Sequence, residues 1–277
     1  MTARVPTRAG GRSFLVRGGS ARRISSLARA EALLLRRNPM ALLTGVAVPV
    51  SLVLFVRLGQ PADGAGAPGS GAGMVTSLIA FALLSVVFYN LVTALVARRE
   101  ELVLKRLRTG EVRDAEILAG TAAPAVALAW GQIVIGLLAA GCFFGMGWPT
   151  NPGLVLVAVV LGTVVCTLLA ATCTAMTRTV EMAQVTATPV LLASALPGLM
   201  VPAGQLPEPF RRLAHVLPLT QVVDLLHLGL SGTTADGATV GLVATFGSAA
   251  LPVLILLAWV VAGVWATRRW FRWEPRR

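Results

Sequence analysis

The stretch RREELVLKRLRTGEVRDAEILAG, residues 98–120, decides how this chain is read. From Arg98 to Glu116 it holds eleven charged side chains, while the whole chain has 36, as 24 Lys and Arg and 12 Asp and Glu. More than twenty nearly uncharged residues lie on either side. Within it, Glu100 and Glu101 come first and Lys105, Arg106 and Arg108 come last. That order complements the dipole of a short helix. Glu101 and Lys105 stand four apart in the favourable orientation. Val103 and Leu107 share one side with Leu104 beside them, and Gly110 supplies a C-terminal stop. A second helix starts near Asp114, where Asp114 and Glu116 suit an N-terminus, and runs on into apolar sequence. A solvated connector whose arginines only fix topology would not need acids first, bases last and an apolar side. A docking surface for a partner needs all three.

The flanks set the solvent. The 277 residues are 56% hydrophobic and 13% charged, with a mean hydropathy of +0.77. Soluble domains average about 25% charged residues, so this chain cannot cover a globular surface with polar groups. Six apolar runs are long enough to cross a bilayer core, which takes about twenty residues. They are 39–57, 74–97, 115–147, 153–177, 182–203 and 240–267. The third is long enough to begin outside the core. The fifth contains Pro189, Pro197 and Pro202, which predicts a kinked or broken helix whose freed backbone groups must be buried in protein or face a watery cavity. The expected fold is an all-α polytopic membrane protein: a basic N-terminus over 1–38, a six-helix membrane domain over 39–267 and a basic tail over 268–277.

Lys and Arg give the orientation. With the N-terminus inside, 21 of the 24 fall on the inner side and three (Arg57, Arg211, Arg212) on the outer. Both termini are then cytoplasmic, and the net charge of +12 needs no nucleic acid. Nothing in the N-terminus reads as a cleavable signal. Ile24, Leu27, Ala28, Leu34 and Leu35 share a helical face amid five arginines, which predicts an interfacial helix touching lipid phosphate. Phe210, Leu213, Val216 and Leu217, then Val222, Leu225, Leu226 and Gly229, predict two short amphipathic helices that lie on the outer surface or dip into it.

Much chemistry is excluded. The single lysine, Lys105, does not sit in a G-x-x-x-x-G-K-[ST] loop, so the chain has no phosphate-binding loop of that kind. There is no HExxH and no GxSxG. His215 and His227 lie outside the runs, which removes paired intramembrane haem ligands. Cys142, Cys166 and Cys173 match no metal-ligand spacing and read as packing residues. We expect no catalytic residue and no metal. The span interiors are expected to hold no Asp, Glu, Lys or Arg, which disfavours ion-coupled transport and leaves the energy to another polypeptide. Tyr89, the only tyrosine, with Asn90, Thr93, Gln132 and Gln184, forms the candidate substrate path, although interhelical bonding explains such groups equally well.

The chain resembles the membrane subunit of ABC-2 type ABC transporters. Arg99-Glu100-Glu101, Leu104-Lys105-Arg106-Leu107-Arg108-Thr109 and Glu116-Ile117-Leu118-Ala119-Gly120 are similar to that family's connector between spans two and three. Leu196-Pro197, Leu206-Pro207, Leu217-Pro218-Leu219 and Gly229-Leu230-Ser231-Gly232 extend the likeness beyond span five. The family often has a glycine after the first acid and Thr-Pro after the Leu-Arg run; here stand Glu101 or Leu102, and Thr109-Gly110. The resemblance implies that Arg99, Glu100, Glu101, Leu104, Lys105, Arg106, Leu107 and Arg108 form a coupling helix docked on a separate ATPase subunit, which would bind ATP and Mg. It also implies re-entrant helices between spans five and six, a second permease copy, most simply in a homodimer, and efflux of a hydrophobic drug, antibiotic or lipid-like compound across a bacterial-type plasma membrane. Two other classes compete. A lipid-modifying membrane enzyme needs convergent acids, bases or metal ligands. A non-transporting anchor or sensor needs only the number of connector arginines.

Overall fold

The structure, a computed structural model, describes residues 47, 50, 51, 54, 58, 70–101, 114–177, 179–195, 208–234 and 238–271. Among them it is helical and contains no strand beyond one isolated bridge, Thr233 to Thr239. Helix α1 (Ser70–Phe81) passes into a π-helical segment (Ala82–Tyr89) and then α2 (Asn90–Glu100). These three form one rod. The others are α3 (Asp114–Phe144), α4 (Pro152–Met176), α5 (Val180–Ala195), α6 (Glu208–Ala214), α7 (Pro218–Ser231) and α8 (Leu242–Trp270).

Four helices among the described residues are long and apolar enough to cross a membrane: Gly71–Glu100, Asp114–Phe144, Pro152–Met176 and Leu242–Trp270. They correspond to the second, third, fourth and sixth apolar runs. The chain is therefore an integral, multi-pass membrane protein. Six spans were expected. The first run falls largely outside the described residues, although residues 47, 50, 51 and 54 within it are helical. Of the fifth, α5 covers 16 residues and residues 196–207 lie outside the described set. The interfacial helix read over 1–38 lies outside it as well.

Each well-defined end has a local cause. Helix α3 starts at Asp114, with Asp114 and Glu116 in its first turn, where carboxylates meet the positive end of the dipole. Helix α4 starts at Pro152, and Asn151 caps it by accepting from the Leu154 N–H at 3.2 Å. Proline at the first helical position loses only an N–H that would have had no helical partner. Within α4, the hydroxyls of Thr163, Thr167 and Thr174 donate to carbonyls one turn back at 2.7–2.8 Å. This satisfies them where water is absent.

The core lies along the rod. Val75, Leu78, Ile79, Leu83, Phe88, Leu91 and Leu95 are fully or almost fully buried against α3, α4 and α7. Helix α7 is packed among α1, α4 and α8. It runs antiparallel to α4 through two close approaches. A Cβ on Gly229 would sit 2.7 Å from Val155 Cγ2 and 3.0 Å from the Val155 backbone nitrogen. A Cβ on Gly162 would sit 3.1 Å from Val222 Cγ2 and 2.7 Å from Leu83 Cδ1. Both steps, Val155 to Gly162 and Val222 to Gly229, are two helical turns. Pro218 and Leu219 then line the same small cleft as Cys166, about 21 Å along α4 from its start at 1.5 Å per residue. This amphipathic segment is thus packed along α4 within the helix bundle. The turn from α6 to α7 is pinned by Trp259 Nε1 donating to the Val216 carbonyl at 2.8 Å and by Gln221 Nε2 donating to the His215 carbonyl at 2.6 Å.

Candidate transport path and connector

The rod is mostly buried, and what it leaves uncovered is regular. From Gly71 to Arg99 the residues not buried are Gly73, Ser77, Phe81, Ser85, Tyr89, Thr93 and Ala97, at every fourth position, with Asn90, Ala94 and Arg98 beside the last three. In a straight α-helix residues four apart drift by about 40°, so seven of them would wind through about 240°. The π-helical segment has wider turns that take more residues. It turns the line back midway. Polar groups are concentrated there: Ser77, Ser85, Tyr89, Asn90 and Thr93.

Tyr89, Asn90 and Thr93 are thus brought together on one line. Asn90 is exposed, Tyr89 and Thr93 are half-buried, and the Thr93 hydroxyl donates to the Tyr89 carbonyl at 3.1 Å. Gln184 is exposed on α5, which packs against α2. Gln132 is not part of this exposed set: it is 3% exposed within α3.

The connector leaves from the end of the same rod. Glu100 and Glu101 are exposed, and Glu101 closes the last turn with its N–H on the Ala97 carbonyl at 3.0 Å. Leu104, Lys105, Arg106, Leu107 and Arg108 lie outside the described residues. Arg99 is turned the other way, into the bundle. It is 0% exposed and the largest fully buried side chain among the described residues. Its Nη1 donates to the Thr174 carbonyl at 2.8 Å and its Nη2 to the Thr177 carbonyl. Arg98 reaches Thr121 Oγ1 on α3 with Nη1 at 3.4 Å.

Among the described residues the span interiors hold no Asp, Glu, Lys or Arg, whereas the span ends do. Ionisable side chains are buried at the span ends: Arg99 near the end of the rod and Glu116, 5% exposed, in the first turn of α3. Composition places arginines in polar gaps. It does not reveal that the rod's helix continues through Arg98 and Arg99 and so sends the two side chains in directions about 100° apart. Adjacent arginines on a helix that has not yet ended are the sequence signal for such a split.

The profile of the family described as ABC-2 family transporter protein matches residues 31–267. The chain belongs to the ABC-2 transporter family. Residues 31–267 include every described helix except the last three residues of α8, so the rod, its exposed line and the connector all lie within the family's own domain. The permease chain is by this membership a membrane component of an ABC transporter, without catalysis of its own, and the family implies an ABC ATPase as partner. A search of curated proteins gives no match to this permease.

Proposed function

We propose that this permease forms the substrate path of an ABC exporter and couples it, through residues 99–108, to a separate ATPase subunit that binds ATP and Mg. One observation carries the reading: a single rod bears both a line of polar groups, Ser77 to Thr93, and at its end the exposed acids Glu100 and Glu101 that open the connector. Polar groups left uncovered on a membrane helix belong beside a partner helix or a water-accessible path. Tyr89, Asn90, Thr93 and Gln184 would line that path, and the predominance of hydroxyl and aromatic groups over charge suits a hydrophobic drug, antibiotic or lipid-like compound. The 21 inner Lys and Arg against three outer ones support both termini in the cytoplasm of a bacterial-type cell. Trp265 and Trp270, their rings edge to face with centroids 5.2 Å apart, flank Arg268 and Arg269 as an interfacial girdle on that side. Helices α6 and α7 act as the re-entrant pair. A second copy of the chain completes the path.

The test is to co-purify the permease with its ATPase subunit and then reverse the connector charges together, as Glu100→Lys, Glu101→Lys and Lys105→Glu. The triple variant should still insert and run as a monodisperse species, while losing at least tenfold in ATPase-subunit association. Unchanged association and unchanged ATP hydrolysis in the complex would remove the connector from the coupling role.

A further inference from the structure

The end of the rod is gripped from two sides. Helix α4 ends at Met176; the cap residue Thr177 shares its N–H between the Cys173 and Thr174 carbonyls at 3.1 and 3.3 Å, which leaves the carbonyls of this end room for further donors. Arg99 supplies donors to two carbonyls of this end, Thr174 and the cap residue Thr177. The cation also sits at the negative end of the α4 dipole. Thr177 is the corner of the chain, because α5 begins at Val180. Its hydroxyl donates back to the Cys173 carbonyl at 2.9 Å, and the Thr179 hydroxyl accepts from the Met182 N–H at 3.4 Å. Thr177 is thus bonded back to α4 and Thr179 forward to α5, one on each side of the corner. On the other flank Arg98 holds Thr121 of α3. Immediately beyond Arg99 the exposed connector begins.

Side chains packed along α2, such as Leu91 and Leu95, transmit a push but slide against a neighbouring helix when pulled or turned. A planar guanidinium that donates to two fixed carbonyls resists both displacement and rotation. We propose that Arg99 is a positioning residue for coupling: it makes the start of the connector and the α4–α5 corner move as one body. A load taken up at Glu100 and Glu101 then reaches α4 and α5 directly, as well as the rod. This rests on the connector being the ATPase contact.

The test uses the permease–ATPase complex, with Cys142, Cys166 and Cys173 replaced and spin labels on new cysteines. One pair joins Glu101→Cys to Met176→Cys, which is 71% exposed beside the corner. Reference pairs join each of these to Val243→Cys, 82% exposed at the far end of α8. Between the nucleotide-free and ATP–vanadate-trapped complexes, both reference distances should shift while the 101–176 distance stays constant. With Arg99→Gln, the 101–243 distance should still shift, the 176–243 shift should be lost, and the 101–176 distance should become nucleotide-dependent. Arg99→Lys keeps the cation with a single point of attachment. It should broaden the 101–176 distribution in the trapped state and leave the fold intact where Arg99→Gln expresses poorly. A 101–176 distance that changes with nucleotide in the parent chain, or stays constant in both variants, overturns the proposal. An immobile Glu101 in the parent complex overturns the coupling reading beneath it, and Arg99's transmitting role with it.

Discussion

The two ends of the bundle are fastened by different chemistry. At the end that holds Asn151, backbone lies against backbone. The Asn151 N–H donates to the Gly229 carbonyl at 2.8 Å, its side-chain nitrogen donates to Thr245 Oγ1 at 3.2 Å, and Gly229 leaves no room for a Cβ beside Val155. Gly232, in the left-handed region at φ +66, turns the chain after α7 and receives the Val240 N–H at 2.7 Å. At the basic end, long arginine side chains span the gaps between helices instead. Short neutral contacts fix one geometry. At the basic end Arg99 clamps the end of α4 through two bonds, while the single 3.4 Å bond from Arg98 to Thr121 can keep hold of α3 as its angle changes. The coupling proposed above would need a firm end and an articulated end, and the two ends of this chain are built from different residue types.

The sharpest way to break the comparison is at the firm end. Gly229→Val puts new atoms within 3.0 Å of backbone that cannot move aside, and we expect loss of most folded protein in detergent, read by size-exclusion chromatography and thermal melting. Overpacking of this kind costs about 1–3 kcal/mol when side chains can adjust and more when backbone must. Gly162→Ala makes the milder contrast, since its tightest neighbour is the Leu83 side-chain tip. Asn151→Ala comes next. It removes the α4 cap and the bond to Thr245, and a fall in stability of about 1–2 kcal/mol is expected, measurable as a lower melting temperature with ATPase-subunit association unchanged. The smallest effect belongs to the articulated end. Thr121→Val deletes the acceptor of a 3.4 Å bond and should cost about 0.5 kcal/mol. If Thr121→Val proved as damaging as Asn151→Ala, the two ends would not differ in the way described.

The sequence was informative where hydropathy or capping chemistry is local. Asp114 and Glu116 marked the start of α3, and four spans followed from length alone. It was silent where the answer depends on which face of a helix is covered. Pro218–Ser231 has the same amphipathic pattern on a surface or inside a bundle, and only its fit to α4 through Gly229 and Gly162 selects the second. Arg99 reads as one more basic residue until the rod's phase turns it toward Thr174 and Thr177. Of the path residues, Tyr89, Asn90 and Thr93 were within reach because they are close in sequence. Ser77 and Ser85 joined them only when the rod's winding was known.

That winding has a bearing on how such a chain can vary. Wide turns over Ala82–Tyr89 take up residues without shifting what lies above and below them. A stretch of this kind acts as a vernier: one residue more or fewer changes how tightly the helix is wound there, while the ends of the rod keep their heading. Insertions and deletions, ordinarily the most disruptive changes a membrane helix can suffer, thus have one address in this rod where they tune the aim of Ser85 and leave Arg99 on its carbonyls.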